Sequence, residues 1–349
     1  MIKKNFFLTD LMKTGDHQSA ERYLSLANIS GEKIEYTGEY YTLHNFNLKQ
    51  YDRLFAMIDH QNANDRLWEN EEYWNDLKKR IKLLKQQGFV FILSHPWESE
   101  DNMKEQKYYD KLLSKTKYYT WSGRTNWFWF LMQEKHRDKK YSFDHSNKLY
   151  DFLYLNKQNR PHRKKLFDLM RKNNLLDNSL YSFLAQPYKI KLNKEYELPW
   201  VDADNYPIYG RDQDIYEPQF NATTINLVSE TNDNDNDVFM TEKIWKTIIA
   251  KQVFLVHGNY GYLQRLKQLG FRTFDSVFDE SYDLERDPNK RADKIMNLCR
   301  ILKNIDKQKL YRDTESIRQH NNDVFFDRKR LSNSINETVL GFFKLVDRS

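Results

Sequence analysis

The sequence predicts an α/β protein of two domains facing a cleft, and three observations carry that prediction. At 349 residues the chain exceeds the usual size of one domain. Trp74 to Gln87 reads as a basic amphipathic helix, stopped by Gly88 and followed by the continuous apolar run Phe89-Val90-Phe91-Ile92-Leu93. Helix, glycine, then an apolar strand is the signature of a parallel sheet buried on both faces. The second half repeats the pattern, with apolar runs at Phe152–Asn156, Ile225–Ser229 and Val253–Val256 separated by helical segments.

The elements follow in order. In the first helix Leu77, Ile81, Leu83 and Leu84 are the apolar members. Pro161 fits the first turn of a helix that runs to about Lys172 and carries Leu166, Leu169 and Met170 on one face. Ile244 to Ala250 is helical, and the strand after it closes on His257-Gly258. Tyr260 to Leu269 places Leu263, Leu266 and Leu269 at helical spacing, and Gly270 stops it. Phe271 to Phe274 returns to extended structure, and Ser334 to Val346 is an apolar helix. The predicted domains are residues 1–149 and 150–330, with 331–349 as a C-terminal helix packing back on the first domain.

Composition narrows the function classes. A net charge of +6 permits an anionic substrate or nucleic acid without requiring either. The single cysteine, Cys299, excludes a disulfide framework and a cysteine-based zinc cluster. The start of the chain has no signal-peptide pattern, and no run reaches the ~18 apolar residues of a membrane span. A cytoplasmic location is therefore expected, in the host cytoplasm if a phage encodes the chain. Mean hydropathy is low at −0.90. Aromatic residues make up 15% of the chain, so Tyr and Phe supply much of the core and disorder is not expected.

Thr241-Glu242-Lys243 is the most informative segment. It joins the acidic loop Asn232–Asp237 to an apolar helix. A helix start binds phosphate through unpaired N–H groups and the positive end of the macrodipole. Lys243 adds a mobile positive charge there, and Glu242 can accept hydrogen bonds from ribose hydroxyls. The pairing suggests a nucleotide-sugar site. The bland reading is that Thr241 caps a core helix, Glu242 favours the dipole and Lys243 is solvated.

Three segments resemble the donor domain of fucosyltransferase-type glycosyltransferases, family 10-like, in their order along the chain. They are Asn159-Arg160-Pro161-His162-Arg163, Asn226-Leu227-Val228-Ser229-Glu230, and Phe239-Met240-Thr241-Glu242-Lys243 with the helix and strand that follow. Tyr260 to Asp283 looks more like phage and viral members. The resemblance covers roughly residues 150–285. It implies a GT-B fold, two Rossmann-like domains facing a central cleft, and a UDP- or GDP-linked sugar donor. By matching position, Arg163 and Lys243 would hold the diphosphate, with Arg160 competing for the role of Arg163. Glu242 would hold the ribose, and Ser229, Glu230 and Thr241 would complete the donor site. The first domain would choose the acceptor.

Inverting transfer also needs a base to take the acceptor proton. The segment after the Phe89–Leu93 strand, Ser94 to Asp101, is the candidate region. Glu98 is its first candidate, followed by His95 and Glu100, against the plain reading of an acidic helix-capping loop. Asp16-His17-Gln18-Ser19 is a lesser loop candidate.

Other motifs fail on inspection. Asp233, Asp235 and Asp237 mimic the start of an EF-hand, but Val238 and Ile244 stand where glycine and glutamate are required. A divalent cation near the diphosphate is compatible with this loop but not required by it. His136, Asp138, Asp144 and His145 match no standard metal spacing and read as a solvated linker. Trp121 to Trp129 reads as a buried aromatic strand or, with Arg124, a stacking surface for bases or sugars. The leading function is glycosyl transfer to a glycan or to a hydroxymethylated base in double-stranded DNA. Phage enzymes that glucosylate such bases share the GT-B fold. The alternatives are a non-catalytic nucleic-acid-binding protein and a degenerate sugar-binding remnant.

Overall fold

The computed structural model describes residues 5–10, 33–37, 46–58, 71–94, 113, 116–121, 124–185, 187, 189–190, 213–233 and 238–347. The chain divides into two compact units, residues 1–123 with 332–349 and residues 124–331. Each holds one parallel sheet.

The first unit contains β1 (Asn5–Asp10), β2 (Lys33–Thr37), β3 (Arg53–Ile58), α1 (Glu71–Gln86), β4 (Val90–Ser94) and β5 (Tyr118–Trp121). Its strands lie in the order β2-β1-β3-β4-β5, all parallel. Helix α1 buries Leu77, Ile81 and Leu84 against Ala56, Phe89 and Phe91. Leu83 does not join them and is 47% exposed, because a step of one from Leu84 carries it about 100° around the helix, off the i, i+4, i+7 stripe. Gly88 has φ +83 and turns the chain from α1 into β4, a conformation that costs glycine nothing.

The second unit begins with α2 (Arg124–His136), followed by β6 (Tyr150–Asn156), α3 (Pro161–Lys172), β7 (Ser179–Phe183), α4 (Glu217–Ala222), β8 (Thr223–Ser229), α5 (Glu242–Ile249) and β9 (Val253–His257). Then come α6 (Tyr262–Gln268), α7 (Pro288–Leu302), α8 (Lys307–Asp313), α9 (Glu315–Phe326) and α10 (Arg328–Asp347). From Ser332 onward α10 groups with the first unit. There the Phe342 ring packs on Phe55 and Tyr119, with centroids 6.0 and 6.2 Å apart.

Three sequence expectations change. The aromatic stretch Trp121–Trp129 is the end of β5 followed by the first turns of α2, and not one strand. Trp129 stacks on Trp245 of α5 at 5.5 Å and donates to the Phe325 carbonyl at 2.8 Å. That packing groups residues 124–149 with the second unit. Phe271 to Phe274 forms no strand; Phe271 packs instead on Trp129 and Trp245. His136 is no part of a solvated linker. It is fully buried, bonded to the Tyr141 hydroxyl and, through Nε2 at 2.9 Å, to the Gln213 carbonyl.

The second sheet runs β7-β6-β8-β9, all parallel. From β6 the chain crosses through α3 to β7 on one side, and later returns to β8 on the other side of β6. Right-handed crossovers then put α3 and α5 on opposite faces. Consistently, α3 packs with α7, while α5 packs with α2 and α9. The sheet therefore has a topological switch point between β6 and β8. In open α/β sheets ligands bind there, beyond the carboxyl ends of the strands.

Candidate functional site

Three neighbouring strands end in a buried polar residue at this switch point: Asn156 on β6, Ser229 on β8 and His257 on β9. Ser229 and His257 lie opposite each other in the ladder. Neither amide atom of Asn156 has a hydrogen-bond partner, and neither does the Ser229 hydroxyl. Buried polar groups are nearly always paired, so these strand ends form a polar patch at the carboxyl end of the sheet with hydrogen-bonding capacity left over from the fold.

The loop after β6 leads directly into α3. Arg160 is its N-cap and Pro161 occupies the first turn. No side chain caps this helix start and no acidic residue lies in its first turn, so its own sequence leaves the positive end uncapped, with Asp233 the carboxylate facing it. Arg160 adds a guanidinium whose Nε has no partner and whose Nη2 makes one long bond, 3.4 Å, to Gln158. Burial and the neighbouring Arg163 push its pKa down to about 10, against the pull of Asp233.

Arg163 sits differently. It is buried and donates through Nε (3.2 Å) and Nη2 (2.9 Å) to the backbone carbonyl of Glu230. His162 Nε2 donates to the same carbonyl at 2.9 Å, which fixes the proton on that nitrogen. His162 also faces Asp233, 3.6 Å from Nδ1, and the His257 ring, 5.6 Å away. Burial first, then Arg163 and His257, hold the His162 pKa well below its usual value. Helix α3 thus grips the end of β8 across the switch point.

Glu230 is the hub of the arrangement. Its carboxylate is fully buried. Oε1 accepts from Thr241 N at 3.1 Å and from the Tyr262 hydroxyl at 2.8 Å, and Oε2 accepts from Thr241 Oγ1 at 2.6 Å. The Thr241 hydroxyl caps α5, accepting from Lys243 N at 3.4 Å, and also receives Lys243 Nζ at 2.9 Å. Lys243 lies 3.0 Å from Glu242 and 3.8 Å from Glu230, with its side chain 22% exposed. Burial alone would raise the Glu242 carboxyl, but Lys243 and Lys246 beside it hold its pKa at about 2. Among the site groups, Lys243 and Glu242 keep an open edge while Glu230 and Thr241 are consumed in holding them.

Two further residues shape the loops. Arg291, buried near the start of α7, donates to the backbone carbonyls of Asp233, Gly258, Glu285 and Arg286. This pins the loops after β8 and β9. Gly258 permits the close approach of Tyr262, because a Cβ there would lie 2.9 Å from that ring. Asp283 accepts from Leu263 N and Gln264 N and closes the start of α6.

The structure thus brings together Arg160, Arg163, Ser229, Glu230, Thr241, Glu242 and Lys243. Glu98, His95, Glu100 and Asp16–Ser19 lie outside the described residues, as do Asp235 and Asp237. Among the described residues no three His, Cys, Asp or Glu side chains cluster as metal ligands, and no helix is long and apolar enough to cross a membrane. Sequence reasoning gave no role to Asn156, His257, Tyr262 or Arg291. A polar residue closing an apolar strand run was the available signal for the first two.

No protein-family model matches the chain, and no curated protein sequence matches it. Among solved structures it is similar to a crystal structure of an α1,3-fucosyltransferase, at 11% identity, over 99% of this chain and 91% of that one, with a TM-score of 0.40. A crystal structure of α1,3-fucosyltransferase with GDP-fucose is similar at 10% identity, over 99% and 90% of the two chains, with a TM-score of 0.36. The two-sheet architecture described above stands on this chain's own strand pairing.

Proposed function

We propose that the chain is a glycosyltransferase that holds a nucleotide-diphosphate sugar at the switch point of its second sheet. One observation carries the reading. The uncapped start of α3 with its Arg160 guanidinium, and the start of α5 with Lys243 and Glu242, are tied together through Glu230 beside unpartnered Asn156 and Ser229. Arg160 and Lys243 are the cations for the diphosphate, and Glu242 accepts from the ribose. Arg163, whose donors already serve Glu230, positions the two helix starts. As the bond from the anomeric carbon to the phosphate breaks, negative charge grows on the leaving diphosphate, and the preorganised donors stabilise it.

The transfer is proposed to be inverting. Glu98 or His95, in the segment following β4, takes the proton of the acceptor hydroxyl. The first unit selects the acceptor, either a glycan or a hydroxymethylated base in DNA. The donor is UDP- or GDP-linked.

Thermal shift against UDP, GDP and their sugars tests the donor site. A nucleotide at 100 times its Kd stabilises by about 2.7 kcal/mol. That shift should vanish in Arg160→Gln and Lys243→Ala. No stabilisation by any nucleotide, together with salt-sensitive DNA binding, would instead favour a nucleic-acid-binding protein without catalysis. Mass spectrometry of plain and hydroxymethylated duplex DNA and of oligosaccharides, after incubation with the donor panel, identifies the acceptor.

A further inference from the structure

The amino edge of the second sheet, opposite the switch point, carries a second concentration of charge. Lys148 precedes β6, Phe220 and Asn221 precede β8, and Lys251 precedes β9. Lys148 Nζ donates to the carbonyls of Phe220 (2.9 Å) and Asn221 (3.0 Å) and lies 2.8 Å from His145 Nδ1. It sits 4.7 Å from the centroid of the Tyr311 ring, and the Arg318 guanidinium sits 4.4 Å from the same centroid. Arg318 is buried and donates to the Thr314 hydroxyl and to the carbonyls of Lys251 and Tyr311.

These two cations share one aromatic ring, yet every hydrogen-bond acceptor they have is neutral. Neither makes an ion pair with a carboxylate among the described residues. Charges withdrawn from water are ordinarily paired, and an unpaired one is costly. Burial first, then the nearby Arg318, push the Lys148 pKa down to about 7, against the weaker pull of Asp144.

The ring and Arg318 open on a cavity of about 450 Å³, also lined by His145, Lys251, Arg312 and Gln319. A neighbouring cavity of about 280 Å³ shares His145 and Lys251 and adds Arg137 and Lys139. Glu315 is the one carboxylate among the described residues that line either cavity. Lys251 holds φ +49 as the left-handed residue that ends α5, with Gln252 N bonded back to the Thr247 carbonyl at 3.1 Å.

We propose that this amino-edge cavity is a binding site for a phosphate-bearing small molecule, distinct from the sugar-nucleotide site, with Lys251 and Arg312 as its anion contacts and the buried charge of Arg318 behind them. The volume is in the range of ligand pockets. Its cations line one compact cavity, which suits a small phosphorylated ligand more than a nucleic-acid backbone tracked along a groove.

The test is calorimetric titration of the full chain with inorganic phosphate and pyrophosphate. Pyrophosphate could also occupy the proposed donor site, so Lys243→Ala serves as the background. Saturable binding should persist in Lys243→Ala. It should weaken at least tenfold when Lys251→Gly or Arg312→Gln is added. Lys251→Gly is chosen because glycine accepts φ +49, and Arg312 is exposed, so both variants should fold. A lysine side-chain NMR titration gives an independent readout, since bound anion should raise the Lys148 pKa above its ligand-free value. Binding that vanishes in Lys243→Ala, or that survives both cation changes, overturns the proposal. Competition by short duplex DNA with a multi-phosphate salt slope overturns it in favour of a nucleic-acid surface. Loss of the donor site itself would leave these outcomes unchanged.

Discussion

Glu230→Gln is the sharpest perturbation of the switch-point assembly. The amide keeps the shape of the side chain, and its one oxygen can replace Oε1, still accepting from Thr241 N and Tyr262. The other position changes from acceptor to donor. It faces the Thr241 hydroxyl, 2.6 Å from Oε2, and the Lys243 ammonium, 3.8 Å away. The Thr241 hydroxyl cannot simply reverse its role, because its oxygen already receives Lys243 N and Nζ. One charge-assisted hydrogen bond is therefore lost, at about 1.5–3 kcal/mol. For a unit of this size that corresponds to a fall in Tm of roughly 3–12 °C. Urea unfolding of the parent, Glu230→Gln, Thr241→Val and the double variant forms a cycle that isolates the pair. Nucleotide binding should weaken along with stability, because Lys243 loses its anchor. A Glu230→Gln protein within about 0.5 kcal/mol of the parent would be no worse than an ordinary surface change and would refute the hub.

Gly258→Ala should destabilise by about 1–3 kcal/mol, as overpacking does, since the new methyl meets the buried, hydrogen-bonded Tyr262 ring; an unchanged denaturation midpoint would show that the ring has room to move. The chain should also lose stability as pH falls from about 6.5 toward 4. His136 and His257 are held at about 4, and His162 well below its usual value, by burial above all. Across that window the unfolded chain, with histidines near 6.5, binds more protons than the native one, so acid favours unfolding. Glu242, held at about 2 against an ordinary 4.5, adds a further loss below pH 4.5. A Tm that stays flat between pH 7 and 5 would contradict this.

The alternation of apolar runs and amphipathic helices made the α/β class legible from residues alone. Parallel strands buried on both faces read as near-continuous apolar segments; Phe89–Leu93 and Val253–Val256 show this without interruption, and Ile225–Ser229 is broken by Asn226 and Ser229. The helix bounds at Pro161–Lys172 were equally readable, because proline fixes the first turn. The aromatic stretch at 121–129 was not. Ring-rich segments suit strand and helix alike, and only the stacking of Trp129 on Trp245 makes it a helix of the second unit.

For the candidate site, the sequence by itself determined the chemical types: two arginines near one helix start, a threonine, a glutamate and a lysine at another. It could not determine which of these groups are spent. Arg160 and Arg163 look interchangeable in sequence, yet one guanidinium is bound to the Glu230 carbonyl and the other keeps a free donor. Glu230 and Glu242 differ in the same way, one buried as a clasp and the other at the edge. Hydrogen bonds from α3 to β8 and from β8 to α5 join segments about 67 and 11 residues apart. Glu230 and Thr241 meet across one strand-to-helix connection, but α3 reaches the end of β8 only because β6 and β8 lie side by side at the switch point, so the tertiary structure alone decided the division of labour among them.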